Sequence, residues 1–92
     1  MFYLVCFDIV DDRKRSRTVK IIKEYGVRVQ KSVFECSGLT EERFLKMKDR
    51  LDATVDATED TVRYYVLCRG CMNKVELSGI GPKPHAGGYR VV

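Results

Sequence analysis

Residues 2–10, FYLVCFDIV, are apolar at every position but one, Asp8. The run is short, rich in aromatic and β-branched residues, and ended by Asp11 and Asp12, which marks it as a strand. Strand side chains alternate between two faces. One face therefore carries Tyr3, Val5, Phe7 and Ile9, and the other carries Phe2, Leu4, Cys6 and Val10, with Asp8 in line. A strand apolar on both faces is covered on both faces. In a chain of 92 residues, enough for one small domain, this is a demanding requirement. A core of that size is marginal alone, so a partner surface or a second copy would support it. Asp8 adds a second difficulty, because a lone buried carboxylate is costly.

The rest of the chain limits what can cover the strand. Asp11 or Asp12 caps a helix over residues 13–25, where Thr18, Val19, Ile22 and Tyr25 recur at helical spacing and Gly26 ends it. VRVQ and SVFECS read as two short strands joined at Lys31. Gly38 is a breaker. Thr40, with Glu41 and Glu42 behind it, starts a second helix whose buried stripe is Phe44, Met47, Leu51 and Val55. DATEDT is a polar connection, and VRYYVLC is a further strand. RGCMN turns the chain, and KVELS is expected as a last short strand. The order predicts an α+β fold: a ferredoxin-like βαββαβ sandwich with an additional short C-terminal strand. Residues 1–78 form the domain, and the Gly- and Pro-rich residues 79–92 form a flexible C-terminal tail or dimer arm. Both helices of such a fold lie on one side of the sheet. The uncovered side is expected to meet its own counterpart across a two-fold axis, giving a homodimer.

The net charge of +4 is unevenly spread. Between Arg13 and Lys31 there are eight Lys or Arg and one acid, Glu24; between Glu41 and Asp60 there are seven acids and four bases. One basic face suits a polyanion. Arg13, Lys14, Arg15 and Arg17 on the first helix, continued by Arg28 and Lys31, are the expected contacts to a DNA or RNA backbone. An aromatic-rich RNA-stacking signature is missing, which points to backbone binding without base reading. No apolar run approaches the roughly 20 residues of a membrane span, so no membrane partner is expected. MFYLVCF lacks the flanks of a signal peptide, and the expected location is the cytoplasm. Cys68 and Cys71, in CRGC, make a single knuckle where structural zinc wants four ligands, and they read as the thiols of a tight turn.

For Asp8, three arrangements are open. It stays protonated, it pairs with Arg15 or Arg17, or two copies share a divalent cation across the two-fold. Mg2+, with Mn2+ as an alternative, suits hard oxygen ligands and often uses only one or two carboxylates plus substrate phosphates.

YLVCFDIVDD, then RSR, then YGVRVQKSVFE together resemble the small CRISPR-associated protein of the Cas-two family, the non-integrase partner in the adaptation complex. The resemblance covers nearly the whole chain. It implies a ferredoxin-like homodimer with sheets face to face and a metal site flanked by both copies of Asp8. It also carries phosphate-contacting or site-forming roles over to Arg15, Arg17, Arg28 and Phe34. Members are described as metal-dependent endonucleases on RNA or double-stranded DNA, and others as scaffolds for captured DNA. One departure is Phe7, where the family commonly has Tyr, so a hydroxyl beside the site is missing. Two functions are therefore carried forward. One is a magnesium-dependent endonuclease with Asp8 as catalytic and metal-holding residue, supported by Phe7 and Phe34, in which water is the nucleophile. The other is a catalytically silent clamp that holds duplex DNA for the CRISPR integrase subunit.

Overall fold

The computed structural model describes residues 1–81. Its elements are β1 (Phe2–Asp8), α1 (Asp12–Lys23), β2 (Val27–Gln30), β3 (Val33–Cys36), α2 (Glu41–Asp52), β4 (Thr61–Leu67) and the one-turn α3 (Arg69–Met72). The four strands form one antiparallel sheet in the order β2-β3-β1-β4, so β1 lies in the interior between β3 and β4. This is the α+β, ferredoxin-like architecture expected from the element order.

The odd face of β1 is the core face. Tyr3, Val5, Phe7 and Ile9 are all buried, packed in one cluster with Ile21 and Ile22 of α1, Met47 and Leu51 of α2, and Phe34 and Cys36 of β3. Aromatic contacts extend it: Phe44 stacks on Tyr3 at 4.2 Å between ring centroids and meets the edge of Tyr64 at 5.4 Å. Both helices start on side-chain caps. The Asp11 carboxylate accepts from the Lys14 amide at 2.9 Å, and the Thr40 hydroxyl accepts from the Arg43 amide at 3.2 Å. Each cap satisfies an amide that the first helical turn leaves without a partner.

The helix α1 ends two residues before the expected limit, and Gly26 is required for reasons of space. A Cβ there would lie 2.5 Å from the Cys36 Sγ and 2.5 Å from the Glu35 carbonyl oxygen. Glycine thus lets the chain leave α1 directly against β3. Beyond it, Arg50 of α2 grips the Glu24 carboxylate with both guanidinium arms, at 3.0 and 2.8 Å, and reaches the Tyr25 hydroxyl at 3.2 Å.

The even face of β1 is only partly covered. Phe2 is buried, and it lines a cavity with Leu67 and the buried Met72 of α3. Leu4 and Cys6 remain half-buried and Asp8 is exposed. In register with them stand Tyr65 beside Leu4, and Arg63 and Val33 on either side of Cys6.

Two expectations are corrected. RGCMN is a single helical turn rather than a plain turn, because Cys68 caps it and Met72 packs down onto the sheet end. KVELS forms no strand. Residues 75–78 line a cavity of about 470 Å³ with Val27, Arg28, Val29 and Gln30 of edge strand β2 and Glu35 of β3, and pair with no strand. Of the expected tail or arm, residues 82–92 lie outside the described residues.

Candidate functional site

Asp8 ends β1, paired in register with Thr61 of β4. Strand alternation turns its carboxylate away from the core that holds Phe7 and Ile9. It is exposed and has no hydrogen-bond or ion-pair partner among the described residues. An open cavity of about 460 Å³ is lined by Phe7, Asp8, Ile9, Arg15, Lys31 and Ser32. Three candidate residues from β1, α1 and the β2–β3 turn, Asp8, Arg15 and Lys31, therefore line one cavity. Ser32 joins them and had no signal in the sequence. It arrives because its carbonyl accepts from the Phe7 amide at 3.1 Å, which draws the β2–β3 turn over the strand end.

The basic residues divide into two groups. Arg15 is committed to the backbone: its Nε and Nη2 donate to the Ile9 carbonyl at 3.2 and 3.0 Å, and Nη2 also reaches the Val10 carbonyl at 3.2 Å. Its Nη1 pairs with Asp12 at 2.5 Å. Within one chain this closes the arrangement in which Asp8 pairs with Arg15. Arg28 is also engaged, with Nε and Nη2 donating to the Lys31 carbonyl at 3.1 and 2.6 Å. Its guanidinium lies 5.9 Å from the ring centre of Phe34. Phe34 is fully buried and Phe7 lies against it, so both are floor rather than contact surface. Arg28 and Phe34 do not line the Asp8 cavity. Arg13 and Arg17 are exposed and line a second open groove on α1 with Asp12, Ser16 and Lys20. Lys14 is half-buried, and its charge falls on Asp56 and Asp60.

Asp60 is the residue that pattern reading missed. It is buried, its Oδ1 accepts from the Val10 amide at 3.0 Å, and its Oδ2 accepts from the Asp56 amide at 2.8 Å. These amides hold its carboxyl below the ordinary aspartate range. Asp56 is turned back in the same way, accepting from the Thr58 amide and hydroxyl at 2.9 and 2.6 Å. The polar DATEDT connection is thus a brace under the corner that follows Asp8. Its signal in the sequence is the Asp-x-Thr spacing, a side-chain-to-backbone turn.

A hard cation fits Asp8 in one sense. The carboxylate is open and not consumed by a protein donor, and bases stand nearby for phosphate. One chain supplies a single carboxylate, and no cluster of three or more metal-ligating side chains occurs among the described residues. A site for Mg2+ or Mn2+ therefore needs the second copy of Asp8 or substrate oxygens as its remaining ligands.

The fold and this site define a class: a small ferredoxin-like protein with a free strand-end carboxylate flanked by two basic surfaces. The family model described as CRISPR associated protein Cas2 matches residues 1–75, and the chain belongs to that family. It is 38% identical over 85 residues to the CRISPR-associated endoribonuclease Cas2 1 of Chloroflexus aurantiacus, covering 91% of this chain and 90% of that one. Among solved structures it is similar to Cas2 of Streptococcus pyogenes at pH 6.5, with a TM-score of 0.75, 34% identity, and coverage of 86% of this chain and 100% of that one. It is also similar to a chain of the structure described as a partial Cas6-RT-Cas1–Cas2 complex, with a TM-score of 0.70, 29% identity, and coverage of 82% and 81%. No helix among the described residues is long and apolar enough to cross a membrane.

Proposed function

We propose that this chain serves CRISPR spacer acquisition in the cytoplasm as a nucleic-acid-binding homodimer. In this reading the paired Asp8 residues form a metal-dependent site that cleaves phosphodiester bonds of RNA or double-stranded DNA. The observation that carries it is the Asp8 cavity: an exposed, unpartnered carboxylate with Lys31 and Arg15 on its rim. The relative named as an endoribonuclease supports the nuclease assignment. The likeness to a chain of a complex whose description includes Cas1 supports an integrase partner. Bound magnesium or manganese supplies Lewis acidity and charge neutralisation at the scissile phosphate. Asp8 would hold the cation. Lys31, beside it and without a side-chain partner among the described residues, would meet phosphate oxygens. Arg15 keeps the corner after Asp8 in shape through the Ile9 and Val10 carbonyls, and Arg13 and Arg17 bind backbone further along α1.

A second reading is supported by specific contacts. Arg15 and Arg28 spend their donors on backbone carbonyls, and Phe7 offers no hydroxyl to the cavity. A dimer so equipped would act as a clamp that presents duplex DNA to the integrase subunit without cutting. One assay separates the two readings: cleavage of RNA and duplex DNA, with and without magnesium, by the native chain and by Asp8→Ala. The nuclease reading requires metal-dependent cleavage that disappears in Asp8→Ala while duplex affinity survives. Absence of cleavage in both proteins, with unchanged DNA binding, selects the clamp.

A further inference from the structure

Cys68 and Cys71 belong neither to the core nor to the Asp8 site. Both are exposed, Cys68 as the cap of α3 and Cys71 within its single turn. The Cys68 Sγ accepts from the Cys71 amide at 3.4 Å, which fixes the Cys68 sulfur over the residue that carries the second thiol. Positions three apart on a helical turn are neighbours, with Cβ atoms roughly 5–6 Å apart, and a disulfide needs roughly 3.5–4.5 Å, so an S–S bond requires this single exposed turn to tighten. The two sulfurs are not equivalent. Amide donors favour the Cys68 thiolate, whereas the adjoining Cys68 sulfur disfavours ionisation of Cys71. The other cysteines differ from this pair. Burial pushes the Cys36 thiol up to about 11, and Cys6 is half-buried in the sheet.

We propose that Cys68 and Cys71 form a reversible dithiol–disulfide pair that exchanges with small-molecule disulfides of the glutathione class, Cys68 attacking and Cys71 resolving. In the first step the Cys68 thiolate attacks one sulfur of the small disulfide. A Cys68–S–S–R bond forms, and one RS⁻ leaves and takes up a proton. In the second step Cys71 loses its proton to solvent and attacks the Cys68 sulfur, expelling the second RS⁻, which is protonated in turn. The protein dithiol gives up two electrons and two protons, and one RSSR becomes two RSH. The bond closes a loop with only two residues between the cysteines, so the entropic gain in global stability is small. Its effect is local. Met72, next to Cys71, is buried at the sheet end, and the chain leaves α3 to line the cavity it shares with β2. Oxidation therefore fixes the turn that aims residues 74–81.

The test uses the full chain in glutathione buffers of graded composition. Intact mass should show loss of two hydrogens, and titratable thiols should fall from four to two. Peptide mapping should join Cys68 to Cys71 within one chain, with reversal by dithiothreitol. In Cys71→Ser the reaction should stop with one glutathione on Cys68. In Cys68→Ser, modification of Cys71 should be at least about tenfold slower. Four free thiols persisting when oxidised glutathione dominates would overturn the proposal. So would a bridge only between chains, equal rates in the two variants, or a protein purified with zinc held by these sulfurs. The native-chain result needs no variant to fold.

Discussion

Replacing Asp60 by Asn removes one charge and reverses one hydrogen bond. The amide can still accept from the Val10 amide, but its NH2 then faces the Asp56 amide, donor against donor. The brace beneath the Asp8 corner loosens, so Asp60→Asn is expected to lower Tm at neutral pH. The pH dependence follows from the sign of the shifts. The carboxyls of Asp56 and Asp60 are both held below their ordinary value of 3.8, by backbone and hydroxyl donors. Their contribution is fully present above that value and disappears as pH falls through the lower folded values. The Tm gap between native chain and variant should therefore be constant from pH 7 to about 5 and shrink on acidification below about pH 4. A gap that widens in acid would refute the assignment. Arg15 gives a second residue-scale prediction. A lysine cannot fork onto the Ile9 and Val10 carbonyls, so Arg15→Lys should destabilise the chain by about 1 kcal/mol, a modest figure because the group is partly exposed. Arg17→Lys should leave Tm unchanged. Paired thermal scans distinguish a clamp of the loop from a purely phosphate-contacting arginine.

At the scale of elements, α1 is where sequence reading and structure agree most and also where they part. Its cap, its buried Thr18 and Ile22 and its basic outer stripe were legible, because a 3.6-residue period and a charge run are local facts. The strands were legible for the same reason, and so was the position of Asp8 on the face opposite Phe7. What could not be read was the use of donors. A guanidinium written in a basic run can serve a phosphate or a carbonyl of its own chain, and Arg15 and Arg28 do the latter, while Arg13 and Arg17 have no partner among the described residues and line the α1 groove. KVELS has the composition of a strand, but a strand also needs an edge at ladder distance, which is a property of tertiary placement. The requirement at Gly26 likewise depends on Cys36, ten residues on. The free stripe supports a prediction. Replacing Arg13 and Arg17 together by Ala should weaken duplex binding and flatten its salt dependence, since each neutralised phosphate adds about −0.9 to the slope of log K against log[salt]. Binding measured by fluorescence anisotropy at several salt concentrations checks this. An unchanged slope would move the interface off α1.

For the whole molecule, the second face of the sheet decides the assembly. One layer of two helices buries Tyr3, Val5, Phe7 and Ile9, while α3 reaches only as far as Phe2. Leu4, Cys6, Val33 and Tyr65 are left partly in water on an antiparallel sheet face with Asp8 at its end. Tyr65, on edge strand β4, is 45% exposed there, a large aromatic that the described residues leave largely uncovered. Half-covered apolar side chains on one sheet face of a small domain, with the charges of Arg63 and Glu35 among them, fit an interface with a polar component. A second copy is the economical partner, since a two-fold axis brings identical patches together and approximates the two Asp8 carboxylates that one chain cannot supply. The chain is therefore expected to sediment as a homodimer at micromolar concentration. Tyr65→Arg should place two like charges near the axis and yield a monomer or a folding-impaired chain, whereas the exposed α2 substitution Leu45→Arg should leave the dimer intact. A native chain that sediments as a stable folded monomer would remove the basis for a shared Asp8 site. It would leave Asp8 with only substrate oxygens to complete any cation site, and metal-dependent cleavage by such a monomer would then have to come from a single carboxylate.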